Sequence, residues 1–101
     1  LVGGAERDFV VDKDIFLLGS DASAVDGVLT SRAAGEIQAK ITRAENTYYI
    51  EDMNSANGTL VNGEILIYKE VRRLEEGDRI TFADISYRFL TFCNNSIILI
   101  K

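Results

Sequence analysis

The sequence contains no histidine and only one cysteine, Cys93. The missing histidine removes the commonest general base and the commonest metal ligand. A Ser-His-Asp or Cys-His catalytic arrangement is therefore excluded. A single cysteine excludes an internal disulfide and suits a reducing compartment, so a cytoplasmic location is expected. Proline is absent as well. Basic residues are in deficit, with 11 Lys and Arg against 16 Asp and Glu and a net charge of −5. They are scattered apart from Arg72-Arg73. Nucleic acids and anionic membrane surfaces are recognised by clustered positive charge, so neither is an expected partner. No apolar run approaches the roughly 20 residues of a membrane helix. The opening Leu1-Val2-Gly3-Gly4 has no charged segment and no apolar stretch of the kind a secretory signal carries. Since it does not begin with Met, the chain is expected to be a piece of a longer protein.

What is present fits one domain over residues 1–101, with 47% hydrophobic and 27% charged residues. Helical periodicity is poor. In the best helical candidate, residues 31–43, Ile37, Ala39 and Ile41 alternate with Gln38 and Lys40. A period of two predicts a half-buried strand there. Ile15-Phe16-Leu17-Leu18 reads as a core strand. Thr47 to Ile50, Arg79 to Phe82, Ile85 to Phe92 and Ile97 to Ile100 are rich in β-branched and aromatic residues. Within the third of these, Ile85, Tyr87 and Phe89 share a face. Asn57-Gly58, Asn62-Gly63 and Glu76-Gly77-Asp78 are turn signals, and Glu45-Asn46 is placed to turn a hairpin between Ile41 and Tyr48. Many short strands at this spacing predict an all-β antiparallel sandwich. The tail strand Ile97-Ile98-Leu99-Ile100 is expected to be paired within it, since a bare apolar edge would invite association.

No catalytic or metal-binding constellation emerges. Cys93 has no neighbouring cation to activate its thiol and is expected to pack as a small apolar group. The carboxylates read as solvated surface charge. Asp52, Asn54 and Asn57 place oxygens at calcium-loop-like positions, but the closing Glu is missing and the flanks are strands. Gly3-Gly4 and Gly19 do not form a phosphate-cradling loop before a helix. An enzyme, a metal and a cofactor are all unexpected.

The stretch Glu51-Asp52-Met53-Asn54-Ser55-Ala56-Asn57-Gly58-Thr59-Leu60-Val61-Asn62-Gly63 resembles the most diagnostic segment of forkhead-associated (FHA) domains, roughly D-x-x-S-x-N-G-T-x-x-N-G. Leu74-Glu75-Glu76-Gly77-Asp78-Arg79-Ile80-Thr81-Phe82 is similar to the L-x-x-G-D-x-I-x-F of that family. Phe16 to Gly19 resembles its strand ending in I-G-R, Asp26 to Leu29 its D-I-x-L, and Ala39-Lys40-Ile41 the end of its S-R-x-H-A-x-I. The likeness runs from about Phe16 to Phe89. It implies a sandwich of about eleven strands, of the FHA/SMAD type, whose loops at one end bind phosphothreonine peptides. Structural turn roles are expected for Gly19, Gly58, Thr59, Asn62 and Gly63. Asn57 matches the family residue that holds the peptide backbone.

At the phosphate itself the sequence departs from this pattern. The family Arg after the first-loop glycine is Ser20 here, followed by Asp21. The phosphate-binding Ser is Gly35, the next position is Glu36, and the buttressing His is Gln38. Beside Asn57, where a Thr is common and Ser55 precedes, stands Ala56. A phosphate carries about −1.5 to −2 charge near neutral pH and favours the forked guanidinium. A charged hydrogen bond contributes about 1.5–3 kcal/mol, so the missing Arg alone weakens binding on the order of 10- to 100-fold. The resemblance thus implies a protein-interaction module whose partner is a protein or peptide, recognised independently of phosphate. Two alternatives stand beside it. One is a genuine phosphothreonine reader with the cation supplied by Arg32 or Lys40; the other is a structural or oligomerisation domain.

Overall fold

The computed structural model describes residues 8–91 and 97–100. Cys93, the N-terminal Leu1 to Gly4 and the residues between Thr91 and Ile97 lie outside that range. Among the described residues the chain forms eleven strands in two packed sheets. The strands are β1 (Phe9–Val11), β2 (Ile15–Gly19), β3 (Gly27–Val28), β4 (Ala39–Ala44), β5 (Thr47–Asp52), β6 (Thr59–Val61), β7 (Glu64–Ile65), β8 (Val71–Leu74), β9 (Arg79–Phe82), β10 (Ile85–Thr91) and β11 (Ile97–Ile100). One sheet runs β1-β11-β10-β9-β6-β7 and the other β3-β2-β4-β5-β8. Every pairing is antiparallel except that of β3 with β2, a parallel contact that short-range pattern reading does not reveal.

Alternation builds the core. Phe16 and Leu18, Ala39 and Ile41, Tyr48 and Ile50, Ile80 and Phe82, and Ile85, Tyr87 and Phe89 all point inward and are buried. The rings of Phe82 and Tyr87 meet at a centroid distance of 5.9 Å, and Tyr48 meets Phe89 edge-on at 5.7 Å. The tail strand is paired on both sides, Leu99 lying opposite Phe9 on β1 and Phe89 on β10. Its inward residues Ile97 and Leu99 are buried.

Two features of the strand reading need correction. Ile15 belongs to β2 but faces outward and is 56% exposed, so this run alternates like its neighbours. Ile37 precedes β4, which starts at Ala39, and is exposed, while Gln38 is buried in its place.

Turns follow the local chemistry. Glu45 and Asn46 close the β4–β5 hairpin with φ of 52° and 66°, and Asn62 and Gly63 close β6–β7 with φ of 52° and 83°. Positive φ at both central residues matches the right-handed twist of the flanking strands. Asn57-Gly58 differs: only Gly58 has positive φ, and it leads directly into β6 without forming a hairpin. Gly19 and Thr59 are strand residues, so their structural roles are not those of turns. Gly19 is required for another reason: a Cβ there would lie 2.1 Å from the Glu36 carbonyl oxygen. Ala83, with Asp84, turns β9 into β10 at φ 59° without being glycine. A side chain in that left-handed region costs about 1 kcal/mol, part of which a glycine recovers. Ala83→Gly is expected to raise the thermal midpoint by roughly 2–4 °C, a gain of about 0.5 kcal/mol. An unchanged or lowered midpoint in a calorimetric scan contradicts the strain assigned to this turn.

Candidate functional site

Three connections gather at one end of the sandwich: residues 20–26 after β2, 29–38 before β4 and 53–58 before β6. The first two are joined by backbone bonds, Ser20 N–H donating to Gly35 O at 2.9 Å and Asp21 N–H to Glu36 O at 3.2 Å. The close approach of these chains is what leaves no room for a Cβ on Gly19. Asp26 fastens the far end of the first loop, accepting from the Leu17 N–H at 2.9 Å and from the Lys13 ammonium at 2.6 Å.

The second and third connections are joined by Gln38, which is fully buried. Its Oε1 accepts the Gly35 N–H at 2.7 Å. Its Nε2 donates into Gly58 O at 2.8 Å, Ser55 Oγ at 3.0 Å and Thr59 Oγ1 at 3.1 Å. Both hydroxyls in turn donate to Asp52 Oδ1 at 2.6 Å. Ser55 Oγ also accepts the Gly58 N–H at 3.0 Å, and Asp52 Oδ2 accepts the Ser55 N–H at 3.0 Å. The buried amide is thus satisfied at both ends, as a buried polar group must be.

Of the residues singled out from the sequence, Ser20, Gly35, Glu36, Gln38, Ser55, Ala56 and Asn57 all lie on this end. Their duties divide sharply. Ser20, Glu36 and Ala56 are exposed and make no side-chain hydrogen bond among the described residues. Asn57 Nδ2 donates to Ala33 O at 2.8 Å, clasping the third loop to the second. Ser55 is structural: its hydroxyl is committed to Asp52. Arg32 is exposed and has no hydrogen bond or ion pair among the described residues. Lys40 lies on the outward side of β4, opposite Glu51 on β5, with its ammonium 3.7 Å from that carboxylate. Asn62 caps another turn altogether, donating to Asp78 at 2.9 Å and accepting the Arg79 N–H at 2.9 Å; Gly63 lies beside it.

Sequence reasoning missed one clasp. Ser31 Oγ donates to Asp84 Oδ1 at 2.6 Å, and Ala83 N–H donates to Gly58 O at 3.0 Å, so the β9–β10 turn closes the same end. Fifty-three positions separate Ser31 from Asp84, and no local pattern announces such a pair.

Two packed sheets that hold several cross-linked loops at one end define a protein of the β-sandwich class. The chain belongs to the FHA domain family, whose model matches residues 16–83. FHA domains are protein-interaction modules, generally acting through phosphopeptides, and not enzymes. Among solved structures the chain is similar to the FHA domain of the CT664 protein from Chlamydia trachomatis, at 22% identity and a TM-score of 0.67 over 90% of this chain and 81% of that one. Mycobacterium tuberculosis EmbR, solved in complex with a low-affinity phosphopeptide, is 26% identical with a TM-score of 0.73. That match covers 79% of this chain but only 20% of EmbR. The FHA-2 domain of a Mycobacterium tuberculosis ABC transporter is 23% identical with a TM-score of 0.66, covering 90% of this chain and 78% of that one. No curated protein sequence matches the chain. No helix among the described residues is long and apolar enough to cross a membrane.

Gln38 makes a direct prediction. Gln38→Ala leaves the part-buried Gly35 N–H without an acceptor, opens a void in a fully buried site and removes one of the two donors to the Gly58 carbonyl; the orphaned N–H alone costs about 1–3 kcal/mol. The variant is expected to lose about 3 kcal/mol in denaturant unfolding, with faster amide exchange at Gly35 and Gly58. A loss under about 1 kcal/mol contradicts the buttressing role.

Proposed function

We propose that this FHA domain is a protein-interaction module that engages a polypeptide partner through its loop end without gripping a phosphate. The observation that carries this reading is the state of the hydroxyl and cationic donors. Ser20 replaces a guanidinium, Gly35 offers no side chain, and the Ser55 and Thr59 hydroxyls are both spent on Asp52. Charge supports it too. The Asp21 carboxylate is held below its ordinary range first by the Ser23 hydroxyl and then by the Ser23 N–H, so it stays ionised through neutral pH. Its main chain is bonded to that of Glu36, a second acid. A dianionic phosphate brought here meets negative charge where a phosphate reader places positive charge.

One observation favours a second reading, a phosphothreonine reader with a rebuilt site. Arg32 is exposed on the second loop, and no described residue neutralises it. Lys40 supports that reading less, being engaged by Glu51. The acidic balance of the chain disfavours nucleic acid and anionic lipid as partners. A cytoplasmic setting and a place within a longer protein complete the proposal.

The test is a titration of the chain with a degenerate threonine-peptide pool at low salt, once phosphorylated on the threonine and once not. Phosphorylation is expected to bring no gain in affinity. Phosphate-dependent binding in the micromolar range contradicts the proposal; its loss in Arg32→Ala then assigns the phosphate contact to Arg32.

A further inference from the structure

Four large apolar side chains stand in solvent within one short stretch: Ile65, Ile67, Tyr68 and Val71 are 55%, 67%, 72% and 58% exposed. Leu66 among them is buried, and its N–H donates to Thr59 O at 2.9 Å, mooring the stretch to β6. The turn that follows is held firmly. Glu70 N–H donates to Ile67 O at 3.0 Å, and Glu70 Oε1 accepts the Ile67 N–H at 3.1 Å. Arg72 grips Glu70 Oε2 at 2.9 and 2.7 Å and reaches Glu64 at 3.0 Å. Inside the turn Lys69 adopts φ 66°, a left-handed conformation that favours glycine. Its ammonium lies 5.5 Å from the Tyr68 ring centre. The chain thus accepts backbone strain and a fixed turn in order to hold Ile67 and Tyr68 in water. The isolated domain leaves most of both side chains uncovered. Strain of this kind points toward function, and clustered exposed apolar side chains mark interaction surfaces.

The position of the cluster says what covers it. Ile65 leans over the third loop so closely that a Cβ on Gly58 would lie 2.6 Å from its Cδ1. Between them opens a shallow depression of about 280 Å³, with a polar wall of Asp52, Asn54, Ser55 and Asn57 facing an apolar wall of Ile65, Leu66 and Tyr68. The apolar stretch therefore continues the surface that carries Asn57. We infer that Ile65, Ile67 and Tyr68 form the outer half of the partner-binding surface, which takes an extended, unphosphorylated polypeptide segment and seats one large aliphatic or aromatic side chain in this depression. The inference rests on the proposed function and names the chemistry of its partner. The depression is large enough for one side chain and opens between the third loop and the Ile65–Tyr68 stretch, which suits a peptide strand crossing the loop end. Glu64 and Glu70 are paired with Arg72, and Lys69 is the one cation among the described residues set against the Tyr68 ring, so the contact is mainly apolar and responds weakly to salt.

The probe is a displayed library of random, phosphate-free peptides, selected on the chain; the strongest peptide is then resynthesised and titrated. The selected sequences are expected to share one large apolar residue. Tyr68→Ser and Ile67→Ser are each expected to weaken binding about tenfold or more. Both side chains are exposed, so the thermal midpoint should hold. Loss of binding in Asn57→Ala with Tyr68→Ser unaffected leaves the loop reading standing and overturns this extension. Loss in Tyr68→Ser with Asn57→Ala unaffected supports the extension and counts against the loop reading. Failure to select any peptide, or a concentration-dependent dimer that Tyr68→Ser dissolves, overturns it, the latter by assigning the surface to a second copy of the chain.

Discussion

The loop end of this domain depends on one buried carboxamide. Gln38 accepts from the second loop at Gly35 and donates into the third at Ser55 and Gly58, and into β6 at Thr59. No other described side chain joins as many of the segments that form this surface. A neutral amide offers both a donor and an acceptor at once, and it does so at every pH in the physiological range. An imidazole in the same place would change its donor count near neutrality. The sandwich below supplies the frame, and its core reaches into the second loop at Leu29 and Ala34. Beyond that core order comes from polar bonds, which is why Gln38, Asp52 and the backbone bonds from Ser20 and Asp21 matter more here than apolar packing.

The same bonds decide what the surface can offer a partner. Two hydroxyls close to the reading position, Ser55 and Thr59, donate inward to Asp52 and leave no proton for a ligand. Asn57 holds Ala33 O with one N–H, which fixes the amide and leaves its second N–H and its Oδ1 without a partner among the described residues. What remains outward is Ser20, Glu36, Ala56 and Arg32, a mixed and mainly acidic or neutral set when Asp21 is included. The FHA fold fixes where these loops stand, and the side chains on them set what they can bind, which is the ordinary relation between a scaffold and a site grafted on it.

Much of the fold was legible in the sequence because strand burial has a period of two. Ile85, Tyr87 and Phe89 show it plainly, and the dipeptide Glu45-Asn46 is legible for a different reason, its tolerance of the positive φ the hairpin needs. Where the pattern misled, a local rule met a tertiary demand. Ile37 continues the alternation of Ala39 and Ile41 on paper, yet Gln38 is the side chain drawn inside, because the polar groups of two loops need it there. Ile15 opens an apolar run but sits on the outer face. The parallel pairing of β3 with β2 and the Ser31–Asp84 clasp are long-range, and no spacing in the chain encodes them. Motif spacing singles out positions that lie together at one end of the sandwich, but it does not give their duties. That Ser55 spends its hydroxyl on Asp52 is a matter of geometry, and so is the exposure of Ile67 and Tyr68 on a strained turn.

The central claim is that the FHA frame is intact and that phosphate recognition is missing for want of particular side chains. The most direct measurement is a graft. Gly35 has ordinary backbone geometry, and a Cβ there would meet its nearest neighbour, Gln38 Oε1, at 3.5 Å, a normal contact. Ser20 is exposed, with space for a longer side chain. The double variant Ser20→Arg, Gly35→Ser should therefore fold unchanged and acquire a preference for phosphothreonine peptides over their unphosphorylated forms, on the order of 10- to 100-fold in calorimetric titration. A double variant that folds as well as the parent but binds both peptide forms alike contradicts the account, since restoring the two missing donors would then not restore recognition.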